Sequence, residues 1–278
     1  MELSSAARAA FWSDVWAYYH ESGRHDLPWR HDTSPYSITI SEVMLQQTQV
    51  ARVLIKYPEF LAMFPSFDAL ASADLVTVLA AWQGMGYNRR ARFLQQLAQR
   101  VQGEFNGDLP HDPQMLLTLP GIGKATAASI AAFAFNAPTV FIETNIRRVY
   151  IHHFFPGQAE VHDRDIQALV ESTLDTARPR EWYWALMDYG SYLAKSFVNP
   201  NRNSKHYQKQ SKFSGSVREA RGAILRLLVA GTPLTAQQMV KRSLIDRSRL
   251  LVAIEQLGDE GFIQGVGRGR YMITSQRS

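Results

Sequence analysis

The chain has 278 residues, enough for one large or two medium domains with ample core. Hydrophobic residues make up 46% and charged residues 20%, an ordinary globular composition that excludes disordered, collagen-like and coiled-coil chains. There is no apolar run long enough to span a membrane and no cysteine, so disulfides, cysteine-ligated zinc or iron–sulfur clusters and cysteine nucleophiles are excluded; 30 Lys+Arg against 25 Asp+Glu leave +5, a mild pointer to a polyanionic partner.

The N-terminal stretch carries charges through its apolar part and reads as an amphipathic helix rather than a signal peptide. Helical periodicity recurs over 41–57, 75–82, 89–101, 125–135, 163–177 and 180–195, punctuated by Pro58, Pro65, Gly84, Gly86, Pro110, Gly121, Gly123, Pro138, Pro156 and Gly157. Neither alternating strands nor a repeat is evident up to residue 194. From Lys195 to Arg218 six basic residues and no acidic ones stand among Asn, Ser, Pro and Gly, which reads as a linker or a DNA-facing arm, a solvated loop being the plain alternative. Helices are expected over 219–229, 236–242 and 247–260, then a hairpin tipped by Gly265, Gly267 and Gly269. That is the order of a winged helix-turn-helix. Arg247 and Arg249 would open its recognition helix, and Arg268 and Arg270 on the hairpin tip suit phosphate or minor-groove contact. The domains expected are 1–194, a basic linker 195–217, and a winged helix 218–278.

The first specific motif is Leu119-Pro120-Gly121-Ile122-Gly123-Lys124-Ala125-Thr126-Ala127. Two glycines two apart permit a tight turn with outward N–H groups. The helix that begins there favours a phosphate through its dipole, and Lys124 adds a cation. Such a site holds a nucleic-acid backbone without reading its sequence. About twenty residues later comes Phe141-Ile142-Glu143-Thr144-Asn145, and four further segments surround the pair: 27–30 (LPWR), 41–50 (SEVMLQQTQV), 82–92 (WQGMGYNRRAR) and 187–190 (MDYG). Together, over roughly residues 8–194, they resemble the helix-hairpin-helix (HhH-GPD) superfamily of base-excision DNA glycosylases, with the 41–50 segment most similar to MutY-type adenine glycosylases. The resemblance implies a mainly α, two-lobed helical fold acting on double-stranded DNA.

Breaking an N-glycosidic bond requires the base to leave its stack, the leaving base to be protonated, and the oxocarbenium-like sugar to face negative charge. The resemblance assigns proton donation to Glu42, which a raised pKa would allow at neutral pH. It assigns cation stabilisation to Glu143, with Asn145 beside it. Relatives carry aspartate at position 143; glutamate is one methylene longer and is expected to reach about 1.5 Å further. Bifunctional relatives carry a Schiff-base lysine where Ala125 stands, and Lys124 is turned roughly 100° away, so a monofunctional enzyme leaving an intact abasic strand is expected. Gln46, Gln47 and Tyr87 match the residues that fill the gap left by the flipped nucleotide. Trp29 and Arg30 are candidates for the base pocket, Trp29 equally for core. Arg89, Arg90 and Arg92 are candidates for phosphates or a solvated face. The DNA-binding set is completed by Gly121, Gly123, Lys124, Thr126, Lys205, Lys209, Lys212, Arg268 and Arg270. Carbonyls of Leu117, Leu119 and Ile122 could bind a monovalent cation, as in relatives; the eight histidines show no zinc spacing.

Three features depart from the family pattern. The four cluster cysteines of many relatives are replaced by the basic stretch, the Nudix-like reader of 8-oxoguanine by the winged helix, and aspartate by Glu143. The resulting expectation is a clusterless, cofactor-free, monomeric cytoplasmic glycosylase associated with the nucleoid, removing a mispaired, damaged or modified base, adenine first. The alternatives are a glycosylase for a modified pyrimidine such as 5-hydroxymethyluracil or mispaired thymine, and an inactive protein that binds lesions or DNA structures.

Overall fold

The computed structural model describes residues 3–205, 207 and 212–274. In chain order these form α1 (Ser5–Ser22), α2 (Pro28–His31), α3 (Pro35–Leu45), α4 (Val50–Met63), α5 (Phe67–Ser72), α6 (Leu75–Ala81), α7 (Arg89–Phe105), α8 (Pro113–Leu116), α9 (Lys124–Phe135), α10 (Thr144–Phe154), α11 (Asp163–Thr173), α12 (Pro179–Ser196), a 3-10 turn (Pro200–Asn203), α13 (Val217–Leu228), β1 (Leu234–Thr235), α14 (Ala236–Ser243), α15 (Arg247–Asp259), β2 (Ile263–Gly265) and β3 (Arg270–Ile273). The chain is mainly helical, as expected. It divides into two compact units: residues 1–42, 110–118 and 122–209, and residues 43–109, 119–121 and 210–278.

In the first unit α1 and α10 both pack on α12. Phe11 and Trp16 of α1 meet the buried Trp182 ring at centroid distances of 5.8 and 5.5 Å. Burying side chains of this size contributes about 1.5–3 kcal/mol each. Gly190 lets α12 approach α10 closely: a Cβ there would run into the backbone of Asn145. The polar centre of this core is Asp188. Its carboxylate accepts a bidentate pair from Arg30 at 2.8 and 2.9 Å, and bonds from the Arg24 backbone N at 2.7 Å and Nε at 2.6 Å.

In the second unit α5 and α6 pack on α7 around Trp82 and Leu94, both fully buried. The C-terminal elements form their own layer, with α13 on α15 and a three-stranded antiparallel sheet in the order β1-β3-β2. Thr235 and Gln238 form a capping box that starts α14. Glu260 joins this layer to α7. Its carboxylate accepts from Arg221 at 2.6 Å and pairs with Arg89 at 3.6 Å, and its carbonyl accepts from Arg92, whose guanidinium lies 5.4 Å from the Phe262 ring centroid.

Three boundaries differ from the periodicity. The 41–57 stretch is two helices, broken between Leu45 and Val50, with Gln47 in the left-handed region at φ 53°. Arg90 makes the break possible: its guanidinium donates to the carbonyls of Val43, Met44 and Gln46, which a continuing helix would have used. Pro58 does not end α4, because the buried Tyr57 and Phe60 outweigh one lost helix bond. Helix α11 stops at Thr173, where Leu174 turns extended and the Asp175 side chain takes up the N–H groups of Ala177 and Arg178.

Burial pushes the Asp188 carboxyl up, but the bonds and charges of Arg30 and Arg24 outweigh it and hold it below the ordinary carboxylate range. Its stabilising contribution is therefore present above pH ~3.9 and fades as pH falls toward the lower folded value. Asp188→Ala leaves Arg30, only 4% exposed, without its partner. It is expected to cost about 3–5 kcal/mol at pH 7. Chemical denaturation of both proteins should show the gap narrowing toward pH 3; a gap that does not change with pH would refute this role for the pair.

Candidate active site

Two acidic residues of the first unit, Glu42 and Glu143, are each half-buried. Glu42 sits on α3 between the buried Ser41 and Val43. Ser129 of α9, itself 4% exposed, places its Oγ 2.5 Å from Glu42 Oε2 and 3.1 Å from the Thr126 carbonyl. One hydroxyl proton cannot serve both oxygens at once. With Glu42 ionised, Ser129 donates to it; with Glu42 protonated, Ser129 accepts from it and donates to Thr126. Either protonation state is thus satisfied, as suits an acid that gives up a proton and regains it. Burial raises the Glu42 carboxyl, the Ser129 bond lowers it, and the nearby charge of Glu143 raises it again, leaving it at about 7.

Glu143 is the N-cap of α10. Its backbone is extended (φ −124°, ψ −179°), and the side chain folds back so that Oε1 accepts from the N–H groups of Asn145 at 2.7 Å and Ile146 at 3.0 Å. The longer side chain is turned back onto the start of α10, where one oxygen caps the helix. Burial raises the Glu143 carboxyl, against the pull of those two N–H groups and the charges of Arg148 and Arg147. Asn145 is fixed from both ends. Its Nδ2 donates to Glu143 Oε2 at 3.4 Å, and its Oδ1 accepts from Arg148 Nη1 at 2.7 Å. Arg148 also donates to the Gly190 carbonyl and to Asn199 Oδ1, while Asn201 donates to the Thr144 carbonyl at 2.8 Å. The beginning of the basic stretch therefore packs against the start of α10.

Sequence reasoning did not find Ser129, Arg148 or Asn201. Ser129 left a signal, as a lone hydroxyl within the buried 127–133 face of α9. Trp29 is 5% exposed, in keeping with a core position. Arg30 lies in the Asp188 pair and beside the Trp184 ring at 5.3 Å, so its guanidinium is committed to the interior rather than turned to a base.

In the second unit the sequence-matched wedge residues are brought together by Arg90. This 8%-exposed guanidinium holds the turn bearing Gln46 and Gln47 through the carbonyls already named and through Thr48 Oγ1. The same group holds the turn before Tyr87 through the carbonyls of Met85 at 3.1 Å and Gly86 at 3.2 Å. Burial lowers its pKa to about 10, still charged at neutral pH. Tyr87 stands at φ 47°, half-buried; Gln47 is exposed. Arg90 and Arg92 thus have internal partners, which replaces their reading as phosphate contacts.

Leu117, Leu119, Gly121 and Ile122 lie in the turn between α8 and α9. Gly121 requires glycine, having φ +78° and the Phe93 Cβ 2.8 Å from where its own would stand. Gly123 is the N-cap of α9; it makes no side-chain cap, and the space beside it is open. Lys124 and Ala125 are exposed and Thr126 half-buried. Lys205, Lys212, Arg247, Arg268 and Arg270 are exposed, whereas Arg249 is engaged by Glu219 and Asp246; Lys209 lies outside the described residues. Among the described residues no group of three or more His, Asp or Glu could hold a metal ion, and no helix is long and apolar enough to cross a membrane.

The family model for HhH-GPD superfamily base excision DNA repair proteins matches residues 40–172. An adenine DNA glycosylase of Mycolicibacterium smegmatis is 31% identical over 93% of this chain and 94% of its own length. Adenine DNA glycosylases of Buchnera aphidicola (Baizongia pistaciae) and Homo sapiens are each 35% identical, over 69% and 66% of this chain; it spans only 55% and 35% of them. A thermostable thymine-DNA glycosylase superposes with TM-score 0.61 and 23% identity over 72% of this chain and 93% of that one. Endonuclease III, trapped on DNA, superposes with TM-score 0.60 and 18% identity over 71% and 91%. These two likenesses establish the fold.

Because the Ser129 bond lowers the Glu42 pKa, Ser129→Ala is expected to raise it. A carbon-13 titration of the side-chain carboxyls should place Glu42 near pH 7 in the wild type and higher in the variant. A midpoint that stays put or moves down would show that Ser129 does not set this proton.

Proposed function

The chain belongs to the HhH-GPD superfamily of base excision DNA repair proteins, and we propose that it is a monofunctional DNA glycosylase that hydrolyses the N-glycosidic bond of a flipped base, with adenine in an oxidised-guanine mispair as its foremost substrate. The observation that carries this reading is the pairing of two half-buried acids with unequal support. Glu42 is held at about 7; burial raises the Glu143 carboxyl too, but two backbone N–H groups and the charges of Arg148 and Arg147 pull against that rise. Protonated Glu42 gives its proton to the leaving base as the C1′–N bond breaks and the bonding pair departs with the base. Glu143 faces the developing positive charge on the sugar. Water then adds at C1′, and the proton it loses passes to a carboxylate. Ala125 offers no amine for an imine, so the strand stays uncut.

The rest of the chain would hold double-stranded DNA as a monomer at the nucleoid. The open N-terminus of α9 at Gly121, Gly123, Lys124 and Thr126 suits a backbone phosphate, with a monovalent cation on the carbonyls of Leu117, Leu119 and Ile122. Lys205, Lys209 and Lys212 would track phosphates, and Gln46, Gln47 and Tyr87 would fill the gap left by the flipped nucleotide. We read residues 218–278 as a winged helix that adds Arg268 and Arg270 to the footprint. The names of the relatives favour adenine over a pyrimidine.

A single-turnover panel of duplexes tests this: A opposite 8-oxoguanine, T opposite G, U, and 5-hydroxymethyluracil, each with and without alkali. Release of adenine revealed only by alkali is expected, with a rate that falls above pH ~7 as Glu42 loses its proton. Glu42→Gln and Glu143→Gln should abolish release while leaving DNA binding intact. Release of a pyrimidine instead would change the substrate. Cleavage without alkali, with a borohydride-trapped adduct, would overturn the monofunctional reading. Tight binding with no release from any duplex would leave a lesion-binding protein.

A further inference from the structure

Tyr87 makes a contact that its turn does not require. Arg218, in the first turn of α13, reaches back across 131 residues of sequence, and its Nη1 donates to Tyr87 Oη at 2.8 Å. The same guanidinium lies 5.7 Å from the Tyr87 ring centroid, and Arg90 lies 5.5 Å from it. The left-handed backbone at residue 87 directs the Cα–Cβ bond but leaves both side-chain torsions open. The bond from Arg218 to the hydroxyl restricts them, beside the contact of Arg90 with the ring. Its own helix is anchored: Arg221, one turn on, binds the Glu260 carboxylate through both Nη1 and Nη2, and Glu219 pairs with Arg249 at 3.3 Å. Glu260 is in turn joined to α7 through Arg92 and Arg89. The C-terminal layer is thus fastened to the helix that follows Tyr87, and Arg218 is the arm it extends to the tyrosine hydroxyl.

We propose that Arg218 is a positioning residue for the DNA wedge: the C-terminal domain uses it to preset the Tyr87 ring for insertion at the flipped nucleotide, so lesion engagement depends on a domain that need not read the lesion. The proposal rests on the reading of Tyr87 as the wedge. A ring ordered before binding spares the cost of ordering it on DNA, which for one side chain is worth about 3–10-fold in occupancy.

The test uses the full-length protein and a duplex carrying a tetrahydrofuran abasic site opposite 8-oxoguanine, with 2-aminopurine as the neighbouring base. Affinity and the fluorescence rise on unstacking are read together, so no turnover is needed. Arg218→Met is expected to weaken binding about 3–10-fold and to cut the fluorescence rise. Tyr87→Phe, which removes only the hydroxyl, should do the same. The double variant should be no worse than either single one, and Arg218→Lys should restore most of the signal. Additive losses would overturn the proposal, since Arg218 would then act on DNA independently of Tyr87. So would an Arg218→Met protein that binds and unstacks like wild type, or better, while Tyr87→Ala loses both signals; that result sinks the positioning role and keeps the wedge. If Tyr87→Ala also changes neither signal, the wedge reading itself falls.

Discussion

Two half-buried carboxyl groups whose charges act on each other cannot both ionise without cost, and Glu42 and Glu143 of the first unit are such a pair. Each negative charge raises the pKa of its neighbour, so the pair needs something to decide which group ionises first. The decision is made by backbone geometry. Glu143 has two N–H groups at the start of α10, while Glu42 has one hydroxyl that can donate or accept. The packing follows suit. Gly190 allows α12 to touch α10 at Asn145, and Arg148 ties Asn145, the Gly190 carbonyl and Asn199 into one network. A shift in any of these would move the cap, and with it the balance between the acids.

The second unit solves a different problem, that of holding polar turns in shape without a regular element. Arg90 does so by spreading one buried charge over six oxygens in two turns. Charge-assisted bonds to carbonyls are stronger than neutral ones, and several of them offset the desolvation of a guanidinium that has no carboxylate partner within its bonds. One side chain thus bonds both the helix break and the turn before Tyr87, the segments that carry the left-handed residues 47 and 87. Lysine, with a compact ammonium and three donors, could not span both turns.

Much of this was legible in the residues. Most helices, the glycine-rich turn before α9 and the C-terminal order of helices and hairpin followed from periodicity, spacing and local chemistry, and the two acids from the family resemblance of the segments that carry them. What escaped was set by tertiary contacts. The segment 41–57 has unbroken helical periodicity, and nothing within it announces that an arginine 44 to 47 residues away will claim its carbonyls. Arg30, Arg90 and Arg249 are, by sequence alone, candidates to meet a base or DNA. Arg30 and Arg90 become interior through partners that only folding supplies, Asp188 and backbone carbonyls, and the half-buried Arg249 pairs with Glu219 and Asp246. Pro58 read as a stop because the local penalty is visible and the compensating burial of Tyr57 and Phe60 is not.

Glu143 shows how a departure from a family pattern can be absorbed. Helix N-caps favour short polar side chains, because Asp, Asn, Ser and Thr reach the exposed N–H groups without spending rotamer freedom. Glutamate reaches too far unless the backbone leading into the helix is fully extended, and here ψ is −179°. In that conformation the longer chain curls back, and one oxygen takes both N–H groups. The other is left with a single long bond from Asn145. The cap therefore divides the carboxylate into an anchored oxygen and one that remains open to a partner. The additional methylene changes the route by which the charge is tethered to the helix terminus, and the helix dipole that favours an anion there acts on it as it would on an aspartate.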